Sequence, residues 1–269
     1  MSSFKKISNN IITNKKRFET KLLKCPDNVD FSGLNVSVCI HCANLDIFKK
    51  QIGHIKNFEL FTWNRLQFII NVVVESINKD ELYKLINEHF KEGKFIIIKS
   101  KNKGLDIGGF LRCLKYIKND DHIIAKIHTK GRDDWRNGMM KIFTKDGIYT
   151  SVMQLQYNIG MIGNNNQLWD FYKNINMSYG LSINKLCNMM NMKYNERTLH
   201  NSFLIGGTIF MCKKNILNDI IRHQDTLYQL CNEKDNYYQN PGAFQFELTM
   251  ERFLGFVVYH YNKNIVGLI

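Results

Sequence analysis

Two short segments put chemically competent side chains where a ligand could meet them. The first is Asn102-Lys103-Gly104-Leu105-Asp106-Ile107-Gly108-Gly109, between a predicted strand and a predicted helix. Its glycines let the backbone turn tightly and approach a ligand closely. A helix N-terminus also turns unpaired N–H groups and the positive dipole end toward an anion. Asp106 stands where an N-cap would, so a purely structural duty is its plainer reading. The run has neither the Gly-Lys-Ser/Thr of a P-loop nor the spaced glycines of a dinucleotide fingerprint. The second segment is Lys126-Ile127-His128-Thr129-Lys130. Strand alternation puts Lys126, His128 and Lys130 on one face. Such a trio suits a diphosphate, whose charge a lysine neutralises and whose oxygens accept from an imidazole N–H. A frayed strand end with solvated lysines is the alternative. Arg132, Asp133, Asp134, Trp135 and Arg136 follow and add cations, an aromatic platform and a carboxylate pair. That pair could ligate a divalent cation through oxygen, magnesium or manganese being the usual choices, or simply be solvated.

A third group lies near the end of the chain. Glu247 and Glu251 are spaced i, i+4 on a predicted helix, so their carboxylates share a face, and Arg252 follows. A carboxylate within reach of a hydroxyl can act as a general base. Gly206-Gly207-Thr208 interrupts an apolar strand pattern with small residues, which allow close approach of a ligand or of another backbone.

The elements that must position these groups alternate. Apolar, β-branched strands are predicted at 35–41, 66–74, 95–100 and 122–128, with helical patterns at 45–58, 78–90 and 107–117 between them. Nearly all-apolar strands separated by helices of this length predict βαβ units and a mostly parallel sheet covered on both faces. The second half predicts helix over 136–156, a strand at 158–163, and helical pieces within 164–200 that suit a lid or an acceptor-side insertion. A single strand at 203–212, a helix over 244–254 and a terminal strand FVVYHY (256–261) follow. Residues 1–30, polar and basic with a helical pattern in RFETKLLK, read as an appended extension on one domain spanning 31–269.

Composition narrows the partners. The formal charge of +13 attracts nucleic acid, acidic membrane surface or phosphorylated ligands alike, though solvated lysines in an AT-rich coding background explain it equally. No recognised nucleic-acid module is legible, which disfavours a nucleic-acid partner. Seven cysteines at irregular spacings, several within apolar runs, predict reduced buried thiols rather than a disulfide framework. Cys39-Ile40-His41-Cys42 is half a zinc site without a second half, and no other feature supports a thioredoxin-like role for Cys42. No apolar run reaches the length of a membrane span or a leader peptide. These features predict a cytoplasmic protein, at most peripheral to a membrane. The Lys/Asn/Ile-heavy composition is what a parasite, a low-GC bacterium or a large DNA virus would encode, and a viral chain would work in the host cytoplasm or the virion.

Taken in order, NKGLDIGGFL, HIIAKIHTK, WR, NIGMIG, GGTIFMCKKNIL and MERFLG resemble the rhamnan synthesis protein F family of glycosyltransferases, over about 41–259. The resemblance implies a glycosyltransferase A-like α/β fold, with a nucleotide-binding half and an acceptor half. It implies sugar transfer, hexosyl or deoxyhexosyl, from a nucleotide-diphosphate sugar to a glycan or glycolipid acceptor in polysaccharide or glycan synthesis. On this reading His41, Asn102, Gly104, Asp106, His128, Lys130, Trp135 and Arg136 bind the donor. Gly207, Thr208 and Arg252 lie on the acceptor side, and Glu251, with Glu247 as the second choice, is the catalytic base. His128-Thr129-Lys130 stands where the fold usually carries an acidic metal-binding motif, so side chains neutralise the diphosphate and a cation becomes optional. The alternative is an inactive α/β protein that only binds glycan or nucleic acid.

Overall fold

The computed structural model describes residues 17–90, 93–129, 133–171, 177–232 and 246–269. Its strands are β1 (Phe18–Thr20), β2 (Val36–Cys42), β3 (Leu66–Val73), β4 (Lys94–Ser100), β5 (Ile123–His128), β6 (Ile159–Asn164), β7 (Leu168–Asp170), β8 (Phe203–Ile205), β9 (Phe210–Lys213) and β10 (Asn264–Leu268). The helices are α1 (Leu45–Lys56), α2 (Lys79–His89), α3 (Leu105–Leu114), α4 (Asp133–Met140), α5 (Lys145–Leu155), α6 (Met177–Met189), α7 (Glu196–His200), α8 (Asn218–Arg222), α9 (Gln224–Gln229) and α10 (Phe246–His260). Among the described residues, eight strands form one sheet in the order β1-β10-β6-β9-β5-β2-β3-β4, and β7 pairs with β8 apart from it. Neighbours are parallel except at β9, which runs antiparallel to β5 and β6. The protein is therefore an α/β fold with a mostly parallel central sheet flanked by helices.

Strand composition explains the layering. Every residue of β2, β3 and β5 is buried, as strands covered on both faces must be. The chain steps outward from β2 to β3 to β4, then returns past β2 to β5. Crossovers of one hand that reverse direction along a sheet place their helices on opposite faces. Accordingly, Phe48 and Ile52 of α1 and Leu82 and Ile86 of α2 enter one core, while Ile107, Phe110 and Leu111 of α3 enter the other. Side-chain caps hold the first two helices in place: Asn44 accepts from the Ile47 N–H, and Asn78 from those of Asp80 and Glu81.

Several expectations need correction. Residues Phe18–Thr20, within the segment expected to be helical, form β1 and pair with β10 at the sheet edge. The expected single strand at 203–212 is two strands, because Gly207 (φ +76°) and Thr208 (φ +54°) break it in the left-handed region. β8 then turns away to β7 while β9 stays in the main sheet. FVVYHY is mostly helix, since α10 continues to His260 and the terminal strand is β10. Phe253, Phe256 and Val257 of α10 are buried on the α3 side of the sheet, where packing outweighs β propensity. Asp106 is not the N-cap of α3. Gly104 is, at φ +71°, and Asp106 falls within the first turn. Among the described residues no helix is long and apolar enough to cross a membrane.

Candidate active site

His41 and His128 are register partners at the carboxyl ends of β2 and β5. The strand order reverses between these two strands, and ligands of open α/β sheets bind in the crevice at such a point. The two histidines nevertheless differ in their surroundings. His41 is buried beneath α3, with Nδ1 3.0 Å from the Asn71 Oδ1. A Cβ on Gly109 would lie 2.0 Å from that ring nitrogen, so the glycine exists to let α3 close over the strand. Asn71 in turn donates to the Ser100 Oγ at 2.8 Å, carrying a polar row across three strand ends.

On the other side of the reversal, the Lys126 ammonium is about 1% exposed. It donates to the Asp106 Oδ2 at 2.9 Å, the Thr208 carbonyl at 3.0 Å and the Thr208 Oγ1 at 2.6 Å. Three acceptors for three N–H bonds satisfy a buried charge that would otherwise be costly. The Thr208 hydroxyl in turn donates a hydrogen bond to the Asp106 Oδ2 at 2.7 Å. Burial would raise the Asp106 pKa, but the charges of Lys126 and His128 and the hydrogen bonds from Lys126 and Thr208 hold it well below the usual carboxylate range. His128 Nε2 lies 2.7 Å from the Gly207 carbonyl; a carbonyl only accepts, so Nε2 carries the hydrogen. Burial lowers its pKa to about 4, despite the nearby Asp106, and the imidazole is neutral at pH 7.

The Gly207 peptide is shared. While its carbonyl takes the His128 hydrogen bond, its N–H donates to the Glu251 Oε1 at 2.6 Å. Burial raises the Glu251 pKa and Asp106 adds to the rise, against the Gly207 N–H and the Arg252 guanidinium 3.8 Å away. Two left-handed pairs hold this arrangement: Gly104 and Leu105 (φ +53°) before Asp106, and Gly207 and Thr208 in the β8–β9 connection. A non-glycine residue there costs on the order of 1–2 kcal/mol, so the surroundings must over-determine Leu105 and Thr208.

Between these groups opens a pocket of about 290 Å³. Asp106, His128, Thr208, Glu247 and Glu251 line its polar side; Leu105, Ile107, Trp135 and Leu248 line the rest. The Trp135 indole lies against Gly207, where a Cβ would come within 2.2 Å of it. Glu247 is anchored by Asn232, whose N–H and Nδ2 donate to its two oxygens at 2.7 and 3.0 Å. The expected i, i+4 pair therefore does face one pocket, from the first turns of α10.

Other expected site residues lie elsewhere. His41 is sealed under α3, and Asn102 does not line the pocket. Gly104 makes room for Cys231, whose Sγ a Cβ would meet at 2.5 Å. Arg136 is buried and pairs with Asp133, which also accepts from the Lys50 Nζ at 3.0 Å, so an ion-pair network engages the carboxylate considered for a cation. Arg252 sits beside Glu251 and donates to the Leu248 carbonyl at 2.8 Å. Lys130 lies outside the described residues. Lys126 was read only as part of a cationic trio, although a lysine inside IIAKIH is itself a signal that a buried anion must meet it. Among the described residues no group of three or more His, Cys, Asp or Glu is placed to hold a metal ion, and the ammonium of Lys126 already neutralises Asp106. All seven cysteines are free thiols, six of them buried.

No family model matches the chain, and no curated protein does. Among solved structures, 4-diphosphocytidyl-2C-methyl-D-erythritol synthase from Anaerococcus prevotii matches 88% of this chain and 89% of its own, with a TM-score of 0.44 and 9% sequence identity.

Proposed function

We propose that the protein is a glycosyltransferase that moves a sugar from a nucleotide-diphosphate sugar to a hydroxyl of a glycan or glycolipid acceptor. On this reading it is akin to the rhamnan synthesis protein F family, a kinship that rests on the ordered motifs of the sequence. The observation that carries the reading is Glu251. Its carboxylate faces a pocket beside the topological switch point, oriented by the Gly207 N–H, with a pKa raised toward the pH at which a general base works best. In the proposed step Glu251 takes the acceptor hydroxyl proton while that oxygen forms a bond to the anomeric carbon. The bond from the anomeric carbon to the diphosphate oxygen breaks, and the nucleoside diphosphate leaves with the electron pair. No step is assigned to a metal.

Thermal shift with uridine and thymidine diphosphate sugars, followed by product analysis with glycan acceptors, tests the proposal. Stabilisation by a nucleotide sugar together with transfer supports it. Stabilisation without turnover points to a glycan-binding protein that has lost catalysis, and stabilisation by oligonucleotides alone points to nucleic-acid binding.

A further inference from the structure

We infer that this pocket holds the hydroxyl groups of one neutral sugar ring on Asp106 and Glu251, and that the diphosphate of a donor lies outside it. The placement of the diphosphate rests on the transferase reading; recognition of a sugar ring does not.

The charge around the pocket is the first argument. Its described lining contains three carboxylates, Asp106, Glu247 and Glu251, and no lysine or arginine. Lys126 stands behind Asp106 with its three hydrogen bonds already made to Asp106 and Thr208. His128, which the sequence offers as a phosphate donor, gives its Nε2 hydrogen to the Gly207 carbonyl and carries no charge at neutral pH. Among the described residues, a diphosphate here would face carboxylates at close range with no lysine or arginine lining the pocket, which is unfavourable in a partly buried site.

Hydroxyl groups suit the same atoms. Both hydrogen bonds to Asp106 fall on Oδ2, so Oδ1 has no partner among the described residues while the carboxyl keeps 16% exposure. On Glu251, Oε1 takes the Gly207 N–H and, among the described residues, Oε2 has only Arg252, 3.8 Å away. Carboxylates with open lone pairs accept from hydroxyls, and these hydrogen bonds are charge-assisted. The same lining includes Trp135, Leu248 and Ile107, apolar surface for the C–H face of a ring. The volume, about 290 Å³, is at the lower bound of small-molecule sites and suits one ring rather than a whole nucleotide sugar.

Saturation-transfer NMR with glucose, galactose, mannose, N-acetylglucosamine, rhamnose and fucose, with and without uridine diphosphate, tests this, with pyrophosphate as competitor. At least one sugar is expected to bind, pyrophosphate to leave its signal unchanged, and Glu251→Gln to weaken it at least tenfold. Asp106→Asn unpairs a buried lysine, so the double variant Asp106→Asn with Lys126→Met is measured beside it, with the same loss expected. Displacement of the sugar by pyrophosphate, tighter pyrophosphate binding in the double variant, or no sugar binding to the wild type would each overturn the inference. Sugar binding in a protein that takes no nucleoside diphosphate sinks the transferase reading and leaves this one standing.

Discussion

Lys126 shows how much one buried charge organises. An ammonium with about 1% exposure persists because Asp106 and Thr208 fill all its hydrogen bonds. Truncating one partner of a buried ion pair leaves the other uncompensated, so Lys126→Ala is expected to lower stability by about 3–5 kcal/mol. The Lys126→Met, Asp106→Asn double variant should recover most of that, and urea denaturation of both proteins measures it. Glu251 belongs to the same scale. If it is the base, Glu251→Gln preserves binding of the nucleoside diphosphate and lowers turnover by roughly 10²–10⁴-fold. Because burial raises its pKa, wild-type kcat/KM should climb with pH along a limb lying above the ordinary carboxylate range, and the variant should lack that limb. A pH–rate profile decides both points. The candidate bases were legible in the sequence, since i, i+4 spacing alone puts Glu247 and Glu251 on one face. Their different environments were not: Asn232 holds Glu247 and the Gly207 N–H holds Glu251, and both partners come from other elements.

At the scale of elements, the glycines of two connections decide whether the site forms. Gly207 combines φ +76° with an indole where a Cβ would sit. Gly207→Ala must therefore displace Trp135 or the β8–β9 connection that carries the Glu251 and His128 partners. Loss of nearly all activity is expected, with a lowered melting temperature in thermal denaturation. Gly138 in α4 makes the opposite case: a Cβ added there would meet nothing within 4 Å, and its backbone lies outside the left-handed region. Gly138→Ala should stabilise the protein by roughly 0.5–1 kcal/mol through the unfolded chain and leave activity unchanged. Calorimetry on the pair of variants separates the two kinds of glycine. Sequence pattern located GGT but read it as the middle of a strand, since apolar residues flank it on both sides. Period and propensity carry no record of backbone sign at Thr208, which its bonds to Lys126, Asp106 and the Ile205 carbonyl help hold in place.

At the scale of the whole molecule, the buried network ties folding to pH. His128 takes up a proton near pH 6.5 when unfolded but only near pH 4 when folded, so stability falls as pH drops between those values. The full difference is worth on the order of 3 kcal/mol. Asp106 has a depressed folded pKa, so its contribution is present above pH 3.8 and is lost as pH falls further. Glu251 has the opposite sign: its contribution declines as pH rises from 4.5 through its raised pKa, which blunts the His128 slope where the two windows overlap. Urea midpoints measured from pH 7 to pH 3 should therefore fall continuously, and His128→Asn should flatten the part between about 6.5 and 4.

The sequence by itself determined the α/β class and the parallel half of the sheet, because short β-branched runs such as VSVCIHC and IIAKIH alternate with helical patterns, as strands buried on both faces do. It also determined the helices between them and the residue types available at the strand ends. Only the tertiary structure decided which of those residues share a pocket. His41 and His128 end neighbouring strands in register, yet α3 closes over one and leaves the other on the pocket wall. That choice depends on where a helix crosses the sheet and how closely its glycines let it approach, and such distances are set by packing between segments far apart in the chain.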